Sequence, residues 1–153
     1  MSEADAFARQ LVEQAPDAMI FADSEGVIRE WNAAATRVFG YAPAEAIGQN
    51  LDLIVPERFR EAHWRGYDRA LADGRTKYEG QSLPTRSARK DGTAIYVELT
   101  FAIVNDTNGT VVGALALARD ISARFVSERE ERERVRALEE QLAALGGGRP
   151  PAG

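Results

Sequence analysis

The one histidine of this 153-residue chain, His63, stands in a stretch whose side chains can do ligand chemistry. Pro56 suits a first helical turn and Gly74 offers a stop, so the spacing predicts a helix between them. Phe59, Ala62, His63, Gly66, Tyr67, Ala70 and Leu71 recur at intervals of three and four, while Arg58, Arg60, Glu61, Arg65, Asp68 and Arg69 fall largely outside that stripe. His63 is therefore expected to point inward, with Gly66 leaving open space beside it. An imidazole so placed can meet a flat ligand with one ring nitrogen. It can equally be a core histidine hydrogen-bonded to a backbone carbonyl. Phe59 and Tyr67, one turn either side, are expected as wall residues rather than ligands.

Other chemistries are thinly supplied. The chain has no cysteine, which excludes disulfides, thiolate metal sites and cysteine nucleophiles. A single histidine excludes zinc sites that need two or three. There is no nucleophile paired with a base and no phosphate loop, so a sensory or regulatory module is expected rather than an enzyme.

The elements that must position His63 follow from the flanking patterns. Residues 4 to 15 form a short amphipathic helix carrying Phe7, Leu11 and Val12, ended by Ala15-Pro16, and it needs something to pack on. Residues 17 to 22 and 27 to 31 read as a hairpin about Asp23-Ser24-Glu25-Gly26. Asn32 caps a helix over 33 to 39 that Gly40 closes, a second short helix around 43 to 47 stops at Gly48, and a short turn at 50 to 54 leads to Pro56. An irregular strand runs from Lys77 to Ala88, and Pro84 within it argues for a sheet edge or a bulge. After the turn at 89 to 93, Ile95, Val97, Leu99, Phe101 and Ile103 alternate cleanly onto one face. In the last strand Val111, Gly113, Leu115 and Leu117 share a face, opposite the smaller Ala114, Ala116 and Ala118, which leave room for the N-terminal helix.

Length and charge bound the organisation. The chain suffices for one core with extensions, expected as a cap helix over 1–15, a sensor domain over 16–121, a signalling helix over 122–145 and a flexible tail over 146–153. A formal charge of −5 offers no basic face to nucleic acid or an anionic membrane. No apolar run approaches the roughly 18 residues of a membrane span, and the first residues lack a basic signal-peptide start, so a cytoplasmic protein is expected.

From 122 to 145 the chain is highly charged, with six Glu and five Arg between Arg124 and Glu140. Val135, Leu138, Leu142 and Leu145 are spaced as a coiled-coil seam, with Arg134 and Glu139 set to pair across a parallel dimer. The seam covers about two heptads, and Glu128 and Glu131 would repel in the preceding positions. A dimeric coiled coil and a solvated helix are both compatible with it.

The order of elements resembles a PAS domain. Local matches are Ala15-Pro16-Asp17-Ala18-Met19, Trp31-Asn32-Ala33-Ala34-Ala35, Phe39-Gly40-Tyr41, Ile47-Gly48-Gln49-Asn50, Arg89-Lys90-Asp91-Gly92-Thr93 and Arg119-Asp120-Ile121-Ser122. The resemblance implies an α+β fold, with a five-stranded antiparallel sheet and helices enclosing a pocket between the long helix and the sheet. Within the family the chain looks most like the haem-binding domains of oxygen-sensing kinases and cyclic-dinucleotide phosphodiesterases. Their proximal ligand is a histidine on this helix, here matched by the run from Pro56 to His63, in register with Glu79-Gly80 and Lys90-Asp91-Gly92.

That resemblance implies haem b on His63, Arg69 and Lys77 near its propionates, and Leu99 and Phe101 on the distal wall, completed by Leu115 and Leu117. It also implies an ion pair between Glu45 and Lys90. Two positions depart from the pattern. Gln81 stands where the phosphodiesterase sensors carry a methionine, and Leu83 where both groups carry an arginine. The sixth iron position is then expected open or water-filled, with Gln81 or Arg86 as substitute donors, and the gas as O2, CO or NO. The signal would pass through 77 to 83 and the sheet to Asp120, Ile121 and Ser122 at the root of the last helix. The expected partners are a second copy, through the N-terminal helix and the coiled coil, and an effector domain or protein. A cofactor-free interaction module and a flavin-binding domain are the alternatives. The light-driven cysteine adduct is ruled out by composition.

Overall fold

The computed structural model describes residues 1–76 and 81–146. The chain divides into two units, residues 1–120 and 121–153.

In the first unit, α1 (Glu3–Gln14) opens on Ser2, whose hydroxyl accepts a hydrogen bond from Asp5 N–H at 3.1 Å while the Asp5 carboxylate reaches back to Ser2. Strands β1 (Ala18–Asp23) and β2 (Ile28–Trp31) form the first hairpin. Next come α2 (Ala33–Phe39), closed by Gly40 in the left-handed conformation, and α3 (Pro43–Ala46). A 3-10 turn at Leu51–Leu53 and another at Glu57–Phe59 precede α4 (Arg60–Asp73). The expected single helix from Pro56 is thus broken at its start. Pro56 begins the tighter turn, and the change of pitch rotates Phe59 out of the α4 stripe.

Strands β3 (Leu83–Ala88), β4 (Ala94–Asn105) and β5 (Val111–Asp120) complete an antiparallel sheet in the order β2-β1-β5-β4-β3. Pro84 lies on an edge strand, where its missing N–H costs no ladder bond. Among the described residues the strand expected from Lys77 begins at Leu83. Lys77, Glu79 and Gly80 lie outside the described residues.

Register decides which side chains meet. Ala18, Ile20 and Ala22 of β1 pair with Ala118, Ala116 and Ala114 of β5, which pair in turn with Leu99, Phe101 and Ile103 of β4. This face carries the core, where Ile20, Val97 and Ala118 pack with Ile28, Trp31 and Phe39. Leu115 and Leu117 pair with Phe21 and Met19 on the opposite face. They therefore do not share a wall with Leu99 and Phe101, contrary to expectation. The alanine row faces the helical layer, where α2 and α4 approach β5, whereas α1 packs on α2.

The second unit contains α5 (Ser122–Leu145). Val135, Leu138, Leu142 and Leu145 are 44%, 52%, 69% and 85% exposed. Ion pairs such as Arg129–Glu133 and Arg134–Glu131 line its surface. No helix among the described residues is long and apolar enough to cross a membrane.

Candidate functional site

The surroundings of His63 are built by α4 docking on the β1–β2 turn. Trp64 takes the decisive place. A Cβ added at Gly26 would fall 2.2 Å from the Trp64 indole, so the indole occupies the space that glycine leaves open in this left-handed turn. Its Nε1–H donates to the Asp52 carboxylate at 2.8 Å. Arg60, one turn earlier, donates to the carbonyls of Val55 and Asp52 at 3.1 and 3.2 Å. One turn later the Tyr67 hydroxyl donates to Asp23 O at 2.6 Å, with Ala22 O at 3.2 Å. Burial, reinforced by the Asp23 and Asp68 carboxylates, raises the Tyr67 phenol to about 12, so it remains a donor. Tyr67→Phe is expected to lower unfolding stability by about 1 kcal/mol in denaturant titration, since one buried hydrogen bond is lost while the ring stays packed.

His63 sits inside this clamp. Its ring lies edge-on to Trp64 at 4.8 Å between centroids and tilted against Tyr67 at 5.9 Å. Nδ1 is buried without a hydrogen-bond partner. The backbone carbonyl that a core histidine would be expected to meet is not supplied to that nitrogen. Burial lowers the imidazole below its ordinary range, and the Asp52 and Asp68 carboxylates offset only part of the effect. The ring is therefore neutral near pH 7, the form in which a histidine nitrogen ligates a metal.

The remaining expected site residues are divided. Leu83 and Leu99 are cross-strand neighbours on the core face, with Phe101 two residues further along β4. All three are partly buried. On α4 the inward stripe is narrower than the spacing suggested, because Ala62 and Gly66 are exposed and no residue of the helix is fully buried. Phe59 is 40% exposed, with the Arg58 guanidinium 4.6 Å above its ring. Arg69 and Gln81 are also exposed. Arg86 pairs with Tyr96 on the face opposite Leu99, so it does not turn inward as a donor. Glu45 and Lys90 do form their ion pair, joining α3 to the β3–β4 turn. Two hollows, of about 570 and 390 Å³, lie between residues 56–58 and strands β3 and β4, and beside Gly40 and residues 89–91. Neither includes His63.

Sequence patterns missed the residues that fasten this site. Trp64 is the immediate neighbour of His63 and falls about 100° around the helix from it. Gly26 and Asp52 meet Trp64 only through the fold. A glycine in a hairpin turn signals the turn, not the indole that will cover it.

Comparison with known proteins agrees with this architecture. The model of the PAS fold matches residues 6–121. The chain belongs to the PAS family. Among its relatives is the sensor protein FixL of Bradyrhizobium diazoefficiens, 34% identical over 92 residues, which are 60% of this chain and 18% of the relative. The oxygen sensor protein DosP of Escherichia coli is 30% identical over 109 residues, 71% of this chain and 13% of the relative. The PAS domain therefore spans less than a fifth of the length of these curated relatives. A PAS domain crystal structure from Colwellia psychrerythraea superposes with a TM-score of 0.68 at 23% identity, covering 79% of this chain and 99% of that one, a likeness of fold. The resemblance to sensor proteins within the PAS family, one of them an oxygen sensor, rests on these relatives.

Proposed function

We propose that this PAS domain is the sensor module of a signalling protein and holds haem b on His63. The carrying observation is the buried, unpartnered Nδ1 of a neutral imidazole on α4, in a domain related to sensor proteins. A buried polar atom without a partner costs free energy that coordination would recover. The donor chemistry at His63 therefore fits the group. Bound haem would supply an iron that takes up a diatomic gas, O2, CO or NO, or changes redox state. Leu83, Leu99 and Phe101 supply apolar surface on the sheet side, while Arg69 and Lys77 are the cations proposed for carboxylate partners.

The chain's own contacts suggest how a displacement of α4 would travel. Tyr67 and Trp64 tie α4 to Ala22, Asp23 and Gly26, at the end of β1. Strand β1 pairs along its length with β5, whose chain continues through Asp120, Ile121 and Ser122 into α5. In this scheme residues 16–121 sense and 122–145 signal to an effector. The exposed α5 seam, together with Phe7 and Leu11 of α1 at 65% and 58% exposure, supports pairing with a second copy.

A second reading is favoured by the packing of His63 between Trp64 and Tyr67, which suits a structural histidine in a cofactor-free PAS interaction module. An absorption spectrum after hemin reconstitution separates the two. A Soret band at one haem per chain is expected, lost or displaced in a folded His63→Ala variant. Absence of stoichiometric haem, or a spectrum unchanged by the substitution, would overturn haem ligation and leave the interaction module.

A further inference from the structure

The two edges of the sheet are finished differently. At the start of β2 and in the turn before it the outward backbone is covered by residues 48 to 51, through Gly48 N–H to Ile28 O at 2.8 Å, Ile28 N–H to Gln49 O at 2.8 Å and Leu51 N–H to Gly26 O at 3.1 Å. On β3 the corresponding cover reaches Ala88, whose N–H meets Ile54 O at 3.3 Å. Arg89 N–H points the other way, to Thr93 O across the hairpin. Two residues before Ala88, Arg86 must direct its own N–H and C=O outward, away from β4. This stretch, without an outward partner among the described residues, borders the hollow of about 570 Å³.

The lining has a definite chemistry. Pro56, Ala88 and Ala94 give it apolar surface, Arg58 and Arg86 flank it, and Glu57 stands on the same rim. No carboxylate of the described residues lies within ion-pair distance of either arginine, whereas Lys90, Arg60 and Arg119 each have one. Arg58 is stacked over Phe59, which limits the freedom that a bound carboxylate would have to freeze out. On a chain of formal charge −5, this rim carries a net positive charge beside outward strand backbone that has no partner among the described residues.

We propose that the β3 edge is a docking site for a short extended acidic segment of a partner protein. The segment adds as a strand beside Arg86, exchanging backbone hydrogen bonds with its outward N–H and C=O, and sets carboxylates on Arg58 and Arg86. Pro84 cannot donate, so pairing ends there and the docked stretch is only a few residues long. The site uses none of the residues assigned to haem and stands or falls independently of that assignment.

The test uses the full chain, isotopically labelled, titrated with an amidated nine-residue peptide alternating glutamate and valine, and with its lysine-for-glutamate analogue. Saturable amide shifts centred on Arg86, Ala88 and residues 57–58 are expected with the acidic peptide, together with affinity reduced roughly tenfold or more by Arg58→Glu or Arg86→Glu. Both substitutions are at exposed positions, and an unchanged circular dichroism melt checks that each variant is folded. No saturable shift, shifts centred on another surface, equal binding of the lysine peptide, or unaltered affinity in the folded variants would each overturn the proposal.

Discussion

Gly113→Ala is expected to lower the unfolding free energy of this domain by about 3 kcal/mol, one of the largest effects a single added methyl can have here. Gly113 lies in β5 opposite Asp23, with a φ of +159° that turns a Cβ toward β1. A Cβ at this position would stand 2.1 Å from Ala22 O, 2.8 Å from Phe21 Cζ and 2.9 Å from Asp23 Cα. Two of those atoms are backbone, so the strand itself has to move. The Ala22 and Asp23 carbonyls also receive the Tyr67 hydroxyl, so displacing them loosens the tether of α4 as well. Urea unfolding followed by circular dichroism reads the loss as a lower midpoint. A change below about 1 kcal/mol would show that β1 and β5 part locally at little cost.

Much of the fold was legible because its signals are local. Gly40 and Gly74 end their helices with φ of +86° and +72°, the left-handed stops that a glycine after a helical run announces. The alternation from Ile95 to Ile103 identified both the strand and its core face, since Ile95 and Val97 are buried there. Strand β5 shows the limit of the same rule. Period two sorted residues 113 to 118 into two faces correctly, although a bulge at Val112 puts Val111 on the face opposite Gly113, but Leu115 and Leu117 looked like the wall of a pocket and the alanines like a surface for α1. Both faces are apolar, so alternation cannot say which one the helices cover. Close approach of α2 and α4 selects the alanines, and that is a property of packing.

The candidate site was legible at one residue and its support was not. A lone histidine among residues spaced at three and four draws attention to α4, yet the stripe expected from Phe59 to Leu71 assumed a single helical pitch. The 3-10 turn at Glu57–Phe59 breaks that phase. What fastens α4 comes from far along the chain: Gly26, Asp52 and the carbonyls of Ala22 and Asp23. Hydrogen bonds to backbone carbonyls leave no residue-type signature at their acceptors, so a single sequence carries no mark of them.

Asn32→Ala is expected to cost more still, about 4 kcal/mol, because one buried side chain there satisfies four backbone groups. Asn32 is 1% exposed. Its Oδ1 accepts from Ala35 N–H at 3.0 Å, the helix cap that the sequence announced, and also from Met19 N–H at 2.9 Å. Its Nδ2 donates to Val12 O at 2.8 Å and Asp17 O at 3.1 Å. The amide thereby joins the end of α1, the start of β1 and the first turn of α2. Alanine would take a partner from all four groups, leaving Val12 O only the longer 3.4 Å bond from Ala15 N–H, and would leave a small void, and neither donors nor acceptors can rotate elsewhere without moving an element. Asn32→Asp separates the two halves of this role. An aspartate keeps both acceptor contacts but faces the Val12 and Asp17 carbonyls with a carboxylate oxygen, so its folded-state pKa is raised above the unfolded value. The folded variant then binds more protons than the unfolded chain above that unfolded value, and its deficit against the natural protein grows as pH rises. Unfolding titrations of both proteins at pH 5 and pH 8 should show the smaller gap at pH 5. A gap independent of pH would mean that water, rather than protonation, relieves the carbonyl contacts. With alanine, hydrogen exchange is expected to rise first in α1, since the amide bond to Val12 is lost and none of its side chains is buried.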